Sequence, residues 1–314
     1  MAGSTIAVYG AIAANVAIAV TKFAVGAITG SSAMIAEGIH SAVDTGNGAL
    51  LLVGLRLSER EATPEFPFGH GKELYFWSLI VAVLIFGVGG GLSAWQGVQH
   101  VLSPPHIRDT GWNYAVLGLA ALFEGSSFAI ALRAFLREAG TRPFWEALHA
   151  SKDPTVYTVL AEDSAALVGL ALAAIGIYAS TTLGIETADG AASIAIGILL
   201  AGVAILLIRE SRGLLIGEGI RLDTAAEIHR LMTSHPLVRR AGRPLSMYIG
   251  PEDVLLAIDV EFDPAAPAAD VATAVASLEE SIRGRYPKIS RIYIEARPTV
   301  PTSRPAPAQQ GVHA

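Results

Sequence analysis

The fold is decided by the stretch Glu37-Gly38-Ile39-His40-Ser41-Ala42-Val43-Asp44, which lies inside an otherwise apolar run from about residue 32 to residue 55. About 20 apolar residues are enough to cross a bilayer as an α-helix. On such a helix Glu37, His40 and Asp44 are spaced i, i+3 and i+7 and share one face. Because a charge near the bilayer centre is costly, this face must meet protein, water or an ion. Imidazole and carboxylate groups on neighbouring turns suit a divalent metal, although a polar network between helices would also explain them.

The composition indicates a membrane protein. Of the 314 residues 52% are hydrophobic and only 16% are charged, whereas soluble domains carry about 25% charged residues. The net charge of −6 argues against nucleic acid as a partner. The chain has no cysteine, which excludes disulfides, thiolate metal sites and cysteine nucleophiles. The first apolar run, residues 5–28, is too long for a signal-peptide core, so we interpret it as a retained helix.

Six apolar runs predict six transmembrane helices, at about 5–28, 32–55, 75–99, 111–134, 155–180 and 189–209. Basic residues concentrate in the links after spans two, four and six: Arg56, Arg60, Lys72, Arg133, Arg137, Arg142, Lys152, Arg209 and Arg212. The opposite side offers only Arg108, with Lys22 near the far end of span one. Since basic loops stay on the cytoplasmic side, we expect both termini in the cytoplasm, in a bacterial inner (plasma) membrane.

The composition changes after the sixth span. Residues 221–235 and 268–286 predict amphipathic helices, and residues 245–249, 254–262 and 289–296 predict strands. The predicted organisation is therefore a transmembrane domain over 1–212, a cytoplasmic αββαβ domain over 213–297 and a disordered tail over 298–314. We find no HExxH, Walker, GxGxxG or GxSxG motif, so the sequence does not support an enzyme.

Further acidic residues lie inside the predicted spans. Glu162 and Asp163 occupy the middle of span five, and neighbouring helical residues point about 100° apart. Asp163 can face a metal while Glu162 makes a supporting bond or reaches a proton path, or the two can share these roles. In span four, Glu124 can act as a proton carrier, a further ligand or an ion-pair partner of Lys22. His70 follows span two in a glycine-rich loop, where a solvated side chain is favoured over a second metal site.

One other acidic residue, Asp189, opens the sixth predicted span. We interpret it as a charge that stabilises the N-terminus of its own helix.

These features resemble the cation diffusion facilitators, which are proton-coupled exporters of zinc and related divalent cations. The resemblance covers about residues 5–297. It rests on the six spans, the αββαβ tail, the loop Phe68-Gly69-His70-Gly71-Lys72 and the stretch Gly30-Ser31-Ser32-Ala33-Met34-Ile35-Ala36-Glu37-Gly38-Ile39-His40-Ser41-Ala42-Val43-Asp44. It implies a six-helix, all-α membrane domain and a ferredoxin-like α+β cytoplasmic domain that dimerises.

The resemblance also implies a site. The family pairs an (His/Asp)-xxx-Asp motif in span two with a similar one in span five. His40 and Asp44 match the first motif and Asp163 matches the second, but Val159 stands where most members have His or Asp. Glu162 is the candidate for the missing ligand, as in the branch with Glu-Asp in span five, which includes mitochondrial zinc transporters of eukaryotes.

Two other metal sites of the family have weak counterparts here. Asp259 and Glu295 occupy strand positions where the cytoplasmic domain would carry histidines, so we expect a weakened or absent metal sensor. The loop before His70 lacks the usual Asp and His partners, which disfavours a loop site.

The resemblance predicts a homodimeric antiporter that exports a divalent cation, zinc in preference to Mn²⁺ or Fe²⁺, against protons. His40, Asp44, Asp163 and Glu162 would bind the cation, and Glu37 and Glu124 would serve a proton path or support the ligands. The alternatives are an exporter specific for Mn²⁺ or Fe²⁺, a passive ion channel, and a membrane scaffold or metal sensor that does not transport.

Overall fold

The computed structural model describes residues 2–104, 110–140, 143–144 and 152–297. The chain forms two compact units, Met1–Ile216 and Gly217–Ala314. The division falls a few residues after the domain boundary predicted at 212. The predicted disordered tail, 298–314, lies outside the described residues.

Long helices make up the described part of the first unit. They are α1 (Ala2–Thr29), α2 (Ser32–Ser58), α3 (Glu73–Leu102), α4 (Thr110–Ala139), α5 (Pro154–Thr181) and α6 (Ala188–Ile216). Each lies on one of the six apolar runs. Within the described residues, α3 to α6 are long and apolar enough to cross a membrane, and the apolar part of α1 is shorter. These four helices indicate an integral membrane protein. The six-span topology stays a prediction.

The helix starts follow from local chemistry. Gly30 has a φ of +79°, a conformation that glycine adopts at little cost, and it ends α1. Ser31 then caps α2, because its Oγ accepts a hydrogen bond from the Met34 amide at 3.2 Å. Asp153 caps α5 in the same way by accepting from the Thr155 amide at 2.9 Å, and Pro154 occupies the first helical position.

The helices α3 and α6 pack with their backbones in contact, and both carry the pattern Gly-x-x-Ser-x-x-x-Gly. Gly90 lies against Gly197, and Gly97 lies against Gly190, so the helices run antiparallel. Between the glycines, the Ser193 hydroxyl donates a hydrogen bond to the carbonyl oxygen of residue 93 at 2.8 Å. Small residues allow the two backbones to come this close. Close packing stabilises the helix pair because the hydrophobic effect does not drive helices together within lipid.

A side chain at Gly97 is expected to destabilise the protein. A Cβ atom there would lie 2.6 Å from the Gly190 carbonyl oxygen and 2.7 Å from the Ile194 amide, and backbone atoms cannot move aside. We expect Gly97→Ala to cost about 1–3 kcal/mol of stability although alanine is the better helix former. Thermal unfolding in detergent measures this. The control is Gly118→Ala in α4, where a Cβ meets nothing within 4 Å; equal melting temperatures would contradict the packing.

The second unit is a small α+β domain. It contains α7 (Leu222–Thr233), β1 (Val238–Ala241), β2 (Leu245–Gly250), β3 (Asp253–Phe262), α8 (Ala268–Arg285) and β4 (Ile289–Arg297). The central strand β3 pairs antiparallel with β1 and β2 and parallel with β4. Alternate β3 residues are buried under the two helices.

The order αβββαβ corrects the predicted αββαβ by one strand. The additional strand β1 is only the four residues Val-Arg-Arg-Ala, with both arginines exposed. It is too short to show an alternating pattern, and its pairing with β3 defines it.

Candidate metal-binding site

The polar residues of α2 line one buried face of the helix. Glu37, His40 and Asn47 are 0%, 2% and 1% exposed, and Asp44 is partly buried. The Nδ1 atom of His40 lies 3.5 Å from Oδ1 of Asp44, one turn further along. The helical spacing thus places these groups together in the interior.

The two adjacent carboxylates of α5 diverge towards different helices. Glu162 is buried and accepts a hydrogen bond from Nδ2 of Asn47 in α2 at 2.7 Å. Asp163 is partly exposed and accepts one from the Ser127 hydroxyl in α4 at 3.0 Å. Asp163 was predicted to face a metal with Glu162 in support, or the two to share these roles; in the structure, Glu162 makes the hydrogen bond to α2.

An acidic cluster forms where α2, α4 and α5 meet. The carboxyl group of Asp44 lies close enough to Glu162, Glu124 and Asp163 for mutual repulsion. Among the described residues, no three His, Asp or Glu side chains converge as a ready-made coordination sphere. In this conformation, Asn47 and Ser127 hold the two carboxylates of α5 as hydrogen-bond donors.

Several buried lone-pair atoms on α2 lack a partner. Within the described residues, Nε2 of His40, Oδ1 of Asp44 and Oδ1 of Asn47 accept no hydrogen bond. Buried polar atoms in proteins are almost always hydrogen-bonded, so unpaired atoms on one helix face require an explanation. These three atoms are of the kinds that ligate divalent cations.

A buried ion pair joins α1 to α2. Lys22 and Glu37 are both fully buried, with Nζ 3.0 Å from Oε2, and Nζ also donates to the Ser41 hydroxyl at 2.8 Å. Of the three roles open to Glu124, a direct ion pair with Lys22 is not formed in this conformation, because Lys22 pairs with Glu37; the other two roles stay predictions. The role of Glu37 in a proton path or in support of the ligands stays a prediction.

The carboxylate of Asp189, in the first turn of α6, also caps α2. It accepts hydrogen bonds from the Ser31 hydroxyl at 2.6 Å and from the Ser32 amide and hydroxyl at 2.6 and 2.7 Å. His100 of α3 lies nearby, with Nδ1 3.9 Å from Oδ2. Asp189 lies in the first turn of α6, as predicted for a charge at that N-terminus, and it also ties the start of α2 to α6.

His70 lies half-buried in the loop between α2 and α3, with its ring centroid 4.7 Å from that of Phe66. Its Nδ1 atom accepts no hydrogen bond from the described residues. The structure does not bring it together with two further His, Asp or Glu side chains among those it describes.

The strand acids of the second unit pair with arginine. Asp259 and Glu295 lie 3.0 and 3.4 Å from the guanidinium of Arg297. His229 lies in α7, with Nε2 3.1 Å from the carbonyl oxygen of Ala241.

Comparison with known proteins identifies the family. The family model for the cation efflux transmembrane domain matches residues 8–216. The mitochondrial proton-coupled zinc antiporter SLC30A9 of Xenopus laevis is 33% identical over 237 residues, which is 75% of this chain and 42% of that protein. The chain belongs to the cation diffusion facilitator family. It is therefore an integral membrane protein related to transporters rather than to enzymes.

Other members of the cation diffusion facilitator family are also similar. Metal tolerance protein C4 of Arabidopsis thaliana is 32% identical over 247 residues, covering 77% of this chain and 53% of that protein. The magnetosome protein MamM of Paramagnetospirillum magneticum is 26% identical over 307 residues, covering 94% and 89%. The chain thus spans about half the length of the eukaryotic relatives and most of the length of MamM.

Sequence reasoning missed two polar residues of the site. Asn47 follows Asp44 by three residues and Ser127 follows Glu124 by three, so each shares a helix face with a singled-out residue. Both residues could have been predicted by extending the polar face of each helix one turn beyond Asp44 and Glu124.

Proposed function

We propose that the protein is a proton-coupled antiporter that exports a divalent cation, with zinc as its preferred substrate. The main support for this function is the buried face of α2, where side-chain atoms of His40, Asp44 and Asn47 have no hydrogen-bond partner among the described residues. The Glu162 carboxylate of α5 lies next to this face. Relatives named proton-coupled zinc antiporters support the same reaction. His40, Asp44, Glu162 and Asp163 bind the cation, with Glu124 close enough to receive protons.

Coupling follows from competition for the same groups. Imidazole binds a metal in its neutral form and carboxylates bind it when ionised, so bound protons and bound metal exclude one another. By linkage, protons supplied on one side weaken metal binding there and drive release. Rearrangement of the helices would expose the site to the two sides in turn.

The proposal includes six spans, with α1 and α2 joining the four apolar helices, and both termini in the cytoplasm of a bacterial inner membrane. The basic residues of the links support this orientation because they concentrate on one side. A homodimer, as expected for the family, completes the proposal.

Zinc is favoured over Mn²⁺ and Fe²⁺ because an imidazole is present and because of the zinc antiporters among the relatives. The carboxylate-rich remainder of the site also suits Mn²⁺. An exporter of Mn²⁺ or Fe²⁺ is therefore the second candidate, and a competition assay against Zn²⁺ distinguishes them.

The test is transport by the full chain reconstituted in proteoliposomes with an imposed pH gradient. We expect Zn²⁺ flux that depends on the gradient, with proton flux in the opposite direction reported by a trapped pH dye. Cation flux without proton movement would instead indicate a channel. Binding without any flux would indicate a sensor or scaffold.

A further inference from the structure

We propose that Asn47 is a fifth member of the cation site and determines its selectivity. Its amide group positions Glu162, and its carbonyl oxygen is a neutral ligand of the cation. This inference rests on the proposed function of the α2–α5 site and adds a residue that neither the motifs nor the resemblance assigns.

The position of Asn47 on α2 places it beside the predicted ligands. His40, Asp44 and Asn47 are spaced i, i+4 and i+7, so they follow one another along a single face. Asn47 is 1% exposed and therefore lies in the interior with them.

The hydrogen bonds of Asn47 separate its two polar atoms into two roles. The Nδ2 atom donates to Oε1 of Glu162 at 2.7 Å, which fixes that carboxylate against α2. The Oδ1 atom is buried and accepts no hydrogen bond from any described residue. A buried amide oxygen without a partner costs about 1–3 kcal/mol, so its retention needs a compensating interaction.

The neighbouring unpaired atoms indicate what that interaction is. Nε2 of His40 and Oδ1 of Asp44 are also buried without a hydrogen-bond partner among the described residues. All three atoms offer lone pairs, and none is a donor when the imidazole carries its proton on Nδ1. In that tautomer the 3.5 Å between Nδ1 of His40 and Oδ1 of Asp44 is longer than a normal hydrogen bond, so Oδ1 keeps a lone pair to offer. A hydrogen-bond donor could satisfy one such atom, but a divalent cation satisfies several at once.

If Asn47 served only to hydrogen-bond α2 to α5, its Nδ2 atom would be accounted for, but the burial of its Oδ1 atom without a partner would not. That role alone would also predict that Asn47 affects only stability, whereas a ligand affects which metal binds. An amide oxygen is a hard ligand that adds no charge, and it suits Mn²⁺ at least as well as Zn²⁺. Replacing it by a carboxylate should therefore favour the harder cation.

The experiment measures Zn²⁺ and Mn²⁺ affinity by equilibrium binding to the purified full chain, with the melting temperature measured in parallel. We expect Asn47→Leu to weaken Zn²⁺ binding about 10–100-fold, the range for residues that support metal ligands. We expect Asn47→Asp to retain binding and to shift the Mn²⁺ to Zn²⁺ affinity ratio about tenfold towards Mn²⁺.

The matched control is Asn113→Leu. Asn113 is a fully buried asparagine of α4 whose Oδ1 accepts from the Thr29 hydroxyl, so it makes an interhelical hydrogen bond away from the acidic cluster. We expect this control to lower the melting temperature and leave both affinities unchanged.

Two results would overturn the role of Asn47. One is wild-type affinity in Asn47→Leu, and the other is an unchanged Mn²⁺ to Zn²⁺ ratio in Asn47→Asp; the second decides the question alone if the leucine variant does not fold. A different result would contradict the proposed function itself: Asp44→Asn would then bind the cation as tightly as the wild type. Loss of binding in Asp44→Asn with unaffected Asn47 variants would remove only the present inference.

Discussion

Proton-driven cation exchange is expected to fall by about 100-fold or more in Asp44→Asn. The substitution preserves size and removes one negative charge from the buried face of α2, where Asp44 adjoins His40. Removing one partner of a buried charge interaction costs about 3–5 kcal/mol, and each 1.4 kcal/mol is a factor of about ten in binding. The initial rate of Zn²⁺ uptake into proteoliposomes with a fixed pH gradient measures the effect.

The control for this prediction is Asp270→Asn, the same change at an exposed position of α8 in the second unit. We expect its transport rate to equal that of the wild type. If Asp44→Asn transports within a factor of two of that control, the α2 face is not the transport site.

The second large effect is expected at Lys22. In Lys22→Met the carboxylate of Glu37 loses its buried counter-charge while remaining packed against Gly169 of α5. We expect a loss of about 3–5 kcal/mol in stability, because an isolated buried charge is far less favourable than the pair. Thermal unfolding in detergent would show this as a lower melting temperature.

The double variant Lys22→Met/Glu37→Gln isolates the ion pair. It removes both charges and leaves a neutral side chain at each position, so most of the lost stability should return. If the melting temperature of the double variant were no higher than that of Lys22→Met, the ion pair would not be the source of the lost stability.

Helical periodicity was enough to predict the α2 face. His40 and Asp44 share a face because the helix repeats every 3.6 residues, and the same rule predicted that Glu162 and Asp163 diverge. It did not predict which neighbour each carboxylate meets, because that depends on how α2, α4 and α5 pack. The strand β1 escaped prediction for a related reason, since only its pairing with β3 distinguishes it from a loop.

Long-range contacts were also beyond prediction from the sequence. The Asp189 carboxylate and the Ser32 amide are 157 residues apart in sequence. Lys22 had acidic residues within reach on two helices, Glu37 and Glu124, and the packing of α1 against α2 selects Glu37. A single sequence contains the charges but not the distances between helices.

The matched glycines of α3 and α6 limit how the membrane unit can rearrange. Sliding one of these helices past the other by a turn, about 5.4 Å, would replace the backbone contact of Gly97 and Gly190 with contact against bulkier residues. It would also break the hydrogen bond between residues 93 and 193. This packing favours movement of the two helices as one body, with relative displacement in the bundle supplied by α1, α2, α4 and α5.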